Sequence, residues 1–444
     1  METQPARPLA ANRPKNPLIG EIAVPGDKSI SHRALMFGAL AVGQTRITGL
    51  LEGEDVLRTA AAMRALGAEI TRDGADWLVS GRGIGGLTPP EDVLDMGNSG
   101  TAARLLTGIL ATHDFSSVMT GDASLRKRPM GRVIEPLKAS GAVFIAREGN
   151  RLPLTIQGAR DALPITYRLP VASAQVKSAI LLAGLNARGI TEVEEPEPTR
   201  DHSENMLTHF GAQVQVTQAG RGRLIRLTGQ PELRAADVAV PGDPSSAAFP
   251  LVAGLLVPGS KLVISGVGLN PLRTGLFDTL REMGAALEIR NFRIQGGESV
   301  GDIHVEHTAL VAVDVPAARA PSMIDEYPVL AVACACARGV SRFRGLSELR
   351  VKESDRLAST AAMLRAGAVR VEIEGDDLIV HGSAQPAGGG LVETHMDHRL
   401  AMSALVFGQA TRAPMRIDDA RFIDTSFPGF VTLMRRLGAD ILAP

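Results

Sequence analysis

The stretch VPGDKSISHR, residues 24–33, organises the rest of this chain. Its Pro-Gly pair is turn chemistry, Asp27 is suited to cap a helix, and an apolar run follows, so the stretch predicts a turn leading into a helix. Lys28, Ser29 and Arg33 would then lie in the first two turns, where free N–H groups and the helix dipole favour an anion. The stretch indicates a phosphate or carboxylate ligand, with an ordinary solvated helix start as the alternative.

The same opening recurs at residues 240–246, which read VPGDPSS and again precede an apolar segment. Pro244 would take the first helical position, where its missing N–H costs nothing. Pro244 also stands where the first copy has Lys28, so the charge is not repeated. We therefore expect a duplicated scaffold in which one copy carries function.

Composition and charge exclude several classes of protein. A net charge of −1 and an aromatic content of 3% argue against nucleic acid or a membrane surface as partner. We expect no signal peptide, and the apolar runs are too short to cross a bilayer. Cys334 and Cys336 lack metal or CxxC spacing, and His395 and His398 lack a third ligand. We therefore expect a reduced, cytoplasmic protein that needs no metal or other cofactor.

A repeated pattern divides the chain into six copies. A Gly-Ala pair closes an amphipathic segment at residues 67, 141, 211, 284, 367 and 438, and each glycine is suited to cap the end of a helix. Each copy contains a polar helix start, an apolar helix, a short β-rich piece, an amphipathic helix and, usually, a strand pair. A helix that is apolar on every face is buried, whereas an amphipathic one lies at a surface.

Each copy reads as a βαβαββ-like unit that is too small to be stable alone. We therefore expect an α/β protein of two domains with three copies each, residues 24–239 and residues 1–23 plus 240–444. If the buried helices are parallel, their polar starts emerge on one face of each domain. Two such faces opposing each other would form an anion-attracting cleft.

The densest charge cluster is ELRVKESDR, residues 348–356. Lys352 and Glu353 lie four and three residues before Arg356, so we expect all three to share one helical face. The alternative is a set of exposed ion pairs that contribute little. Asp325 precedes the most apolar helix, where it would either cap the helix or act as a general base.

Other helix starts and one loop add further candidates. Arg399 begins the sixth buried helix, where the dipole disfavours a cation unless an anion compensates. Gly100 begins the second buried helix and would let a ligand approach the backbone closely. Residues 173–175, Ser-Ala-Gln, offer a hydroxyl, N–H groups and an amide, and Arg128 lies in the cationic loop 126–131. Taken singly, each of these has ordinary capping or a solvated loop as its alternative.

Together, these motifs resemble the 5-enolpyruvylshikimate-3-phosphate synthase (3-phosphoshikimate 1-carboxyvinyltransferase) family of enolpyruvyl transferases. The resemblance rests on PGDKSISHR, GNSGTAAR, GDASLRKRPMGR, SAQVKSA, RVKESDR and MDHRLAM, which occur in the family's order between Val24 and Leu437. It implies a two-domain inside-out α/β barrel, each domain with three βαβαββ repeats around buried parallel helices, that closes on its substrates. It also implies a monomer that transfers the enolpyruvyl group of phosphoenolpyruvate to the 5-hydroxyl of shikimate 3-phosphate and releases phosphate, in chorismate biosynthesis.

The resemblance also implies roles for individual residues. Those that match the family's shikimate 3-phosphate contacts are Lys28, Ser29, Arg33, Ser173, Ala174, Gln175, Arg200, Asp325 and Lys352. Those that match its phosphoenolpyruvate contacts are Lys28, Gly100, Arg128, Gln175, Arg356 and Arg399. By the same resemblance, Asp325 is the base for the 5-hydroxyl proton, and Glu353, with Lys28, is the acid that protonates the enol methylene carbon.

Two alternatives stay open at this point. The sister enzyme that transfers enolpyruvyl to UDP-N-acetylglucosamine shares the fold, but it typically has a Cys in the loop that corresponds to residues 122–132, and this chain has none there. A non-catalytic anion-binding protein on the same scaffold would not need both Asp325 and Glu353.

The chain departs from the family's pattern in two places. It has Arg104-Leu105 where the family often has Arg-Pro, and Thr425 where many members carry a Lys before Thr-Phe-Pro. Both departures are similar to the branch that includes naturally glyphosate-tolerant enzymes. That tolerance is associated with Ala in place of the motif's Gly, so Gly100 implies ordinary glyphosate sensitivity.

Overall fold

The computed structural model describes residues 5–443. These residues form two compact units. The N-terminal unit comprises Gly26–Val240 and Gln295–Glu298, and the C-terminal unit comprises residues 5–25, Pro241–Ile294 and residues 299–443. Residues 1–4 and 444, which the sequence assigned to the second domain, lie outside the described residues.

The helices come in pairs, as the repeat pattern predicts. In chain order they are α1 Lys28–Leu40, α2 Glu54–Ala65, α3 Gly100–Leu110, α4 Gly131–Leu137, α5 Ala174–Gly184, α6 His202–His209, α7 Pro244–Leu256, α8 Gly275–Glu282, α9 Ala320–Met323, α10 Tyr327–Ala335, α11 Arg356–Ala366, α12 His398–Gly408 and α13 Phe430–Arg436. The short helix α9 stands outside the pairs.

The strands are short. In chain order they are β1 Leu9–Asn12, β2 Ile19–Ala23, β3 Gln44–Thr48, β4 Glu69–Asp73, β5 Asp76–Ser80, β6 Leu94–Asp95, β7 Ser116–Thr120, β8 Val143–Arg147, β9 Arg151–Gln157, β10 Thr166–Arg168, β11 Ile190–Glu195, β12 Val214–Ala219, β13 Gly222–Thr228, β14 Val238–Ala239, β15 Lys261–Gly268, β16 Ala286–Gln295, β17 Glu298–Glu306, β18 Asp314–Val315, β19 Gly339–Phe343, β20 Val371–Glu374, β21 Asp377–Gly382, β22 Leu391–Val392, β23 Met415–Ile417 and β24 Asp440–Leu442.

The strands form four-stranded sheets of one recurring topology, in which one pair is parallel and the next strand is antiparallel to it. The orders are β14-β3-β5-β4, β6-β7-β9-β8, β10-β11-β13-β12, β16-β17-β15-β2, β18-β19-β21-β20 and β22-β23-β1-β24. The parallel pairs are β14–β3, β6–β7, β10–β11, β15–β2, β18–β19 and β22–β23. There is one sheet for each expected copy, and the α/β repeat fold is confirmed.

The first helix of each copy lies in the core, as its all-round apolar sequence predicts. These helices are α1, α3 and α5 in one core cluster and α7, α10 and α12 in the other. Small residues allow close packing between them: a Cβ built on Gly108 of α3 would lie 2.1 Å from the carbonyl oxygen of Ala179 in α5. Within residues 5–443, no helix combines the length and the apolar character needed to cross a bilayer.

The glycine caps hold with one exception. The glycines that take a left-handed conformation are Gly67, Gly141, Gly211, Gly284 and Gly438. The prediction is wrong for Gly367, which has φ −84°, while Ala368 takes the left-handed conformation with φ 61°. Gly367 is needed for close packing instead, because a Cβ there would lie 2.1 Å from the ring of Phe407.

Candidate active site

The start of α1 anchors the candidate residues of the N-terminal unit. The Asp27 carboxylate accepts a hydrogen bond from the backbone N–H of Ile30 at 2.9 Å, so the predicted cap is confirmed. Lys28 Nζ donates to Asp55 Oδ2 on α2 at 3.0 Å, and Ser29 follows as a partly exposed residue. A mostly buried cation therefore stands at the positive end of a helix dipole.

Arg33 lies beneath that start rather than at its surface. It is 3% exposed and donates from Nε to Ser203 Oγ and from Nη2 to Ser178 Oγ, both at 2.8 Å. Its Nη1 donates to the carbonyl of Ser29 at 2.9 Å. Burial lowers the pKa of Arg33 to about 10. Arg33 thus joins α1 to α5 and α6.

His32 connects α1 with the second turn of α2 and with the start of α3. Its Nδ1 lies 2.7 Å from Thr59 Oγ1 on α2, and its Nε2 lies 3.4 Å from Ser99 Oγ, which caps α3. Burial, with Lys28 and Arg33 nearby, holds the pKa of His32 well below its ordinary value. The ring is therefore neutral and provides one donor and one acceptor. No local sequence signal indicates this role of His32, because its partners Thr59 and Ser99 are distant in the chain.

The starts of α3 and α5 meet through Arg104. Its Nη1 donates to Gln175 Oε1 at 3.1 Å, and Gln175 Nε2 donates to Thr101 Oγ1 at 3.0 Å. Arg128 Nη2 donates to Asn98 Oδ1, just ahead of α3. The structure therefore brings Gly100, Arg128 and Gln175 together. The sequence argument did not predict that Arg104 connects these residues. The one local signal for it is the position of Arg104, four residues after Gly100 at the start of α3.

The remaining candidates of this unit lie at neighbouring positions. Ser173 caps α5 by accepting a hydrogen bond from the N–H of Val176 at 3.4 Å, and Ala174 is the first residue of that helix. Arg200 precedes the N-cap of α6 and is close enough to Arg33 to affect its pKa electrostatically. The starts of α1, α3, α5 and α6 thus gather one set of cations, hydroxyls and N–H groups.

Arg356 is the centre of the candidate site in the C-terminal unit. It is 1% exposed; its Nε donates to Asp397 Oδ2 at 2.8 Å, and its Nη1 donates to Asp325 Oδ1 at 3.1 Å. It also pairs with Glu353, and Lys352 Nζ lies 3.5 Å from Asp325 Oδ1. Burial alone would lower the pKa of Arg356, but the three carboxylates raise it above its ordinary value. The exposed-ion-pair alternative is therefore wrong for Arg356, which is buried with Asp397, whereas Arg350 and Asp355 of the same stretch form a partly exposed pair.

The predicted shared helical face in this cluster is also wrong. A 3₁₀ turn ends at Val351, and α11 begins only at Arg356, so Lys352 and Glu353 lie in the loop between them. Asp355 caps α11 by accepting a hydrogen bond from Ala358 N at 3.0 Å. A strong cap starts the helix later than charge spacing alone suggests. The three side chains meet by loop geometry.

Asp325 does not cap a helix. The chain turns after α9, and α10 begins at Tyr327 with Glu326 as an N-cap residue that makes no side-chain capping bond. The Asp325 carboxylate instead faces Arg356 and Lys352. The capping alternative is therefore wrong, and the side chain is 13% exposed in a cationic setting.

Arg399, the second residue of α12, is compensated within its own unit. Its Nη1 donates to the carbonyl oxygen of Asp325 at 3.3 Å and lies 3.8 Å from Glu326 Oε1. Glu326 also lies 3.7 Å from Arg273, a second buried cation. Asp325, Lys352, Glu353, Arg356 and Arg399 therefore form the second group of candidates.

Comparison with known proteins identifies the family. The family model described as EPSP synthase (3-phosphoshikimate 1-carboxyvinyltransferase) matches residues 12–434. The chain belongs to the EPSP synthase family. It is 72% identical to the 3-phosphoshikimate 1-carboxyvinyltransferase of Acidiphilium cryptum, over 100% of both chains.

Solved structures agree with EPSP synthase membership. EPSP synthase from Acinetobacter baumannii is 44% identical, with a TM-score of 0.86 over 98% of this chain and 99% of that one. The enolpyruvyl transferase NikO from Streptomyces tendae is 20% identical, with a TM-score of 0.78 over 99% and 100% of the chains, and supports the fold alone. The expected family, the two-domain inside-out α/β fold and the expectation of an enzyme are confirmed.

The cysteines offer no reactive thiol for the sister reaction. Cys334 and Cys336 lie at the end of α10, and burial raises the pKa of both thiols to about 12. A thiolate is the reactive form of cysteine, and it is negligible at neutral pH with such a pKa. This chemistry is further evidence against the UDP-N-acetylglucosamine alternative.

Proposed function

We propose that this enzyme transfers the enolpyruvyl group of phosphoenolpyruvate to the 5-hydroxyl of shikimate 3-phosphate and releases phosphate. The observation that carries the proposal is the Asp325–Lys352–Arg356–Glu353 cluster, in which two carboxylates are held against cations in a chain of this family. The relatives' printed name, 3-phosphoshikimate 1-carboxyvinyltransferase, states the same reaction class.

The charges of the two groups suit these substrates. Each substrate carries a phosphate and a carboxylate, so several cations must act on the same pair of molecules. Lys28, Arg128 and Arg200, with the α5 start, supply them in the N-terminal unit. Lys352, Arg356 and Arg399 supply them in the C-terminal unit.

Two carboxylates divide the proton transfers. Asp325 accepts the 5-hydroxyl proton, because Lys352 and Arg356 stabilise its ionised form. Glu353 delivers a proton to the enol methylene carbon, assisted by Lys28. The C–O bond to the former hydroxyl then forms at the activated enol carbon, whose neighbouring carbon is now a methyl group. Phosphate leaves from the enol carbon while the methyl group returns one proton to the Glu353 carboxylate, which restores the double bond.

A phosphate-release assay tests the reaction. Purified full-length protein with phosphoenolpyruvate should release phosphate when shikimate 3-phosphate is added and not when UDP-N-acetylglucosamine is added. Release with the nucleotide sugar would favour the sister reaction. Binding of both anions without release would favour the non-catalytic alternative.

The absence of a side chain at Gly100 leaves space beside the proposed phosphoenolpyruvate contacts. A Cβ at Gly100 would lie 2.7 Å from Arg104 Nη1 and 3.0 Å from Arg128 Nη1, so both guanidinium groups would have to shift. We expect glyphosate to inhibit the unmodified enzyme competitively with phosphoenolpyruvate. Gly100→Ala should raise the KM for phosphoenolpyruvate and should weaken glyphosate, the longer molecule, by at least about tenfold, as expected for overpacking.

The control for that prediction is Gly268→Ala, where the nearest packing neighbour of an added Cβ, the carbonyl oxygen of Gly242, would lie 3.5 Å away. Steady-state inhibition curves on the three proteins decide the matter. The prediction would be contradicted if the unmodified enzyme were glyphosate-tolerant. It would also be contradicted if Gly100→Ala and Gly268→Ala weakened glyphosate inhibition equally.

The proposal also includes a cytoplasmic monomer. The family resemblance supports a monomer, and the two cysteines without a disulfide partner suit a reducing compartment. Light scattering on the purified protein would detect any stable oligomer.

A further inference from the structure

Lys177 is the most unusual charged residue of the N-terminal unit. It lies in α5 among residues that are otherwise mostly apolar, and its side chain is 0% exposed. Removing an ammonium group from water is costly unless close partners compensate. None of the roles proposed above involves this side chain, so its partners are informative.

Those partners come from two other segments. Lys177 Nζ lies 2.7 Å from Glu204 Oε1 on α6 and 3.0 Å from Glu195 Oε2 at the end of β11. It also donates to the carbonyl of Thr199 at 3.3 Å. Both carboxylates are almost wholly buried, and this burial raises the pKa of Glu204. We call these three charged residues the Lys177 cluster.

The Lys177 cluster holds the loop before α6. Glu195 Oε2 accepts hydrogen bonds from Thr199 N at 3.2 Å and from Thr199 Oγ1 at 2.8 Å. Thr199 directly precedes Arg200 in the chain. The other end of the cluster is in the first turn of α5, which begins beside Ser173. One buried ammonium group therefore fixes the α5 start and the Arg200 loop relative to each other.

Stability alone does not account for such a cluster. A buried ion-pair network is often no more stable than apolar residues of similar volume, because desolvation offsets the attraction. A network does impose one arrangement on the segments it joins, since unpaired alternatives leave a buried charge.

We propose that Lys177, with Glu195 and Glu204, is a positioning residue that sets the spacing between the α5 start and Arg200 so that they bind the phosphate group of shikimate 3-phosphate. This inference rests on the proposed function, which supplies the phosphate ligand. It assigns the Lys177 cluster no contact with the substrate.

Two ligands that differ only in the phosphate test it. Calorimetric titration of the full-length enzyme with shikimate 3-phosphate and with shikimate gives the contribution of the phosphate. In Lys177→Met we expect shikimate 3-phosphate to bind about 10- to 100-fold more weakly, the range for losing a hydrogen bond to a charged group. Shikimate itself should change less than about threefold, because it lacks the phosphate that the α5 start and the Arg200 loop would bind.

Further variants separate positioning from general loosening. Glu204→Gln keeps an oxygen for Lys177 and should bind like the unmodified enzyme, whereas Glu204→Leu should behave like Lys177→Met. Leu181→Ala, in the same helix and 0% exposed, is the control that lowers stability without touching the cluster. If Lys177→Met does not fold, the two Glu204 variants decide the question.

The inference is overturned if phosphate-dependent binding survives in Lys177→Met or, failing that, in Glu204→Leu. It is also overturned if Leu181→Ala causes the same loss, or if shikimate and its phosphate weaken equally. An unmodified enzyme that binds both ligands but does not turn over would overturn the proposed function instead, and the titrations would still decide the role of Lys177.

Discussion

Asp325→Asn is expected to lower kcat for phosphate release by about 10²- to 10⁴-fold, the usual contribution of a general base. The change keeps the size of the side chain and one oxygen, which lies 3.1 Å from Arg356 Nη1 in the unmodified enzyme. It removes the ability to accept the proton of the 5-hydroxyl. Binding of shikimate 3-phosphate should therefore change far less than kcat does.

Asp376→Asn is the matched control for that substitution. Asp376 is a carboxylate with a 46% exposed side chain, and it pairs with Arg350 at 2.9 Å on the same unit. Its amide variant should keep kcat within about twofold, since exposed pairs contribute little. Single-turnover phosphate release, with substrate affinity by titration, separates chemistry from binding. A kcat within threefold of the unmodified value in Asp325→Asn would exclude Asp325 as the base.

Arg356→Met is expected to lower the free energy of unfolding of the C-terminal unit by about 3–5 kcal/mol, the usual cost of leaving buried charges without their partner. Asp397 is 0% exposed and would lose its short ion pair with Arg356 Nε. Asp325 and Glu353 would lose the same cation. Activity should fall as well, because the proposed base and acid would no longer be held in place.

The unfolding experiment can resolve the two units. Trp77 is the only tryptophan of the chain and lies in the N-terminal unit. Urea unfolding followed by tryptophan fluorescence therefore reports that unit, while far-UV circular dichroism reports both. The variant should shift the circular-dichroism transition more than the fluorescence transition.

Two further variants check the cause of that loss. Arg350→Met removes a partly exposed arginine, whose ion pairs with Asp355 and Asp376 are also partly exposed, and should cost no more than about 1 kcal/mol. Adding Asp397→Asn to Arg356→Met should recover part of the loss, because it removes the stranded buried charge. Equal losses for Arg356→Met and Arg350→Met would show that the buried network contributes no more than a surface pair.

The fold was predictable because its signals are local. Asp27 caps α1 and Pro244 takes the first position of α7, as short-range sequence rules predict. The all-round apolar sequence of α10 likewise predicts its burial. Signals of this kind recur in every copy, so the repeat could be read without a structure.

The side-chain contacts within the candidate site could not be predicted in the same way. Arg356 and Asp397 are 41 positions apart, and Arg104 and Gln175 are 71 apart, so no local spacing announces either pair. Charge spacing alone places Lys352 and Glu353 on a helix, whereas the Asp355 cap starts that helix only at Arg356. Residue types indicated the chemistry, whereas tertiary packing decides which groups meet.

The N-terminal strands have a consequence for the order of synthesis. β1 lies between β23 and β24, with Leu9 opposite Ile417 and Ala11 opposite Ile441. During synthesis, β1 therefore cannot pair until β23 and β24 have been made. Gly26–Val240, by contrast, already contains almost the whole of the N-terminal unit. One half of the protein can mature during translation, and the other half must await its completion.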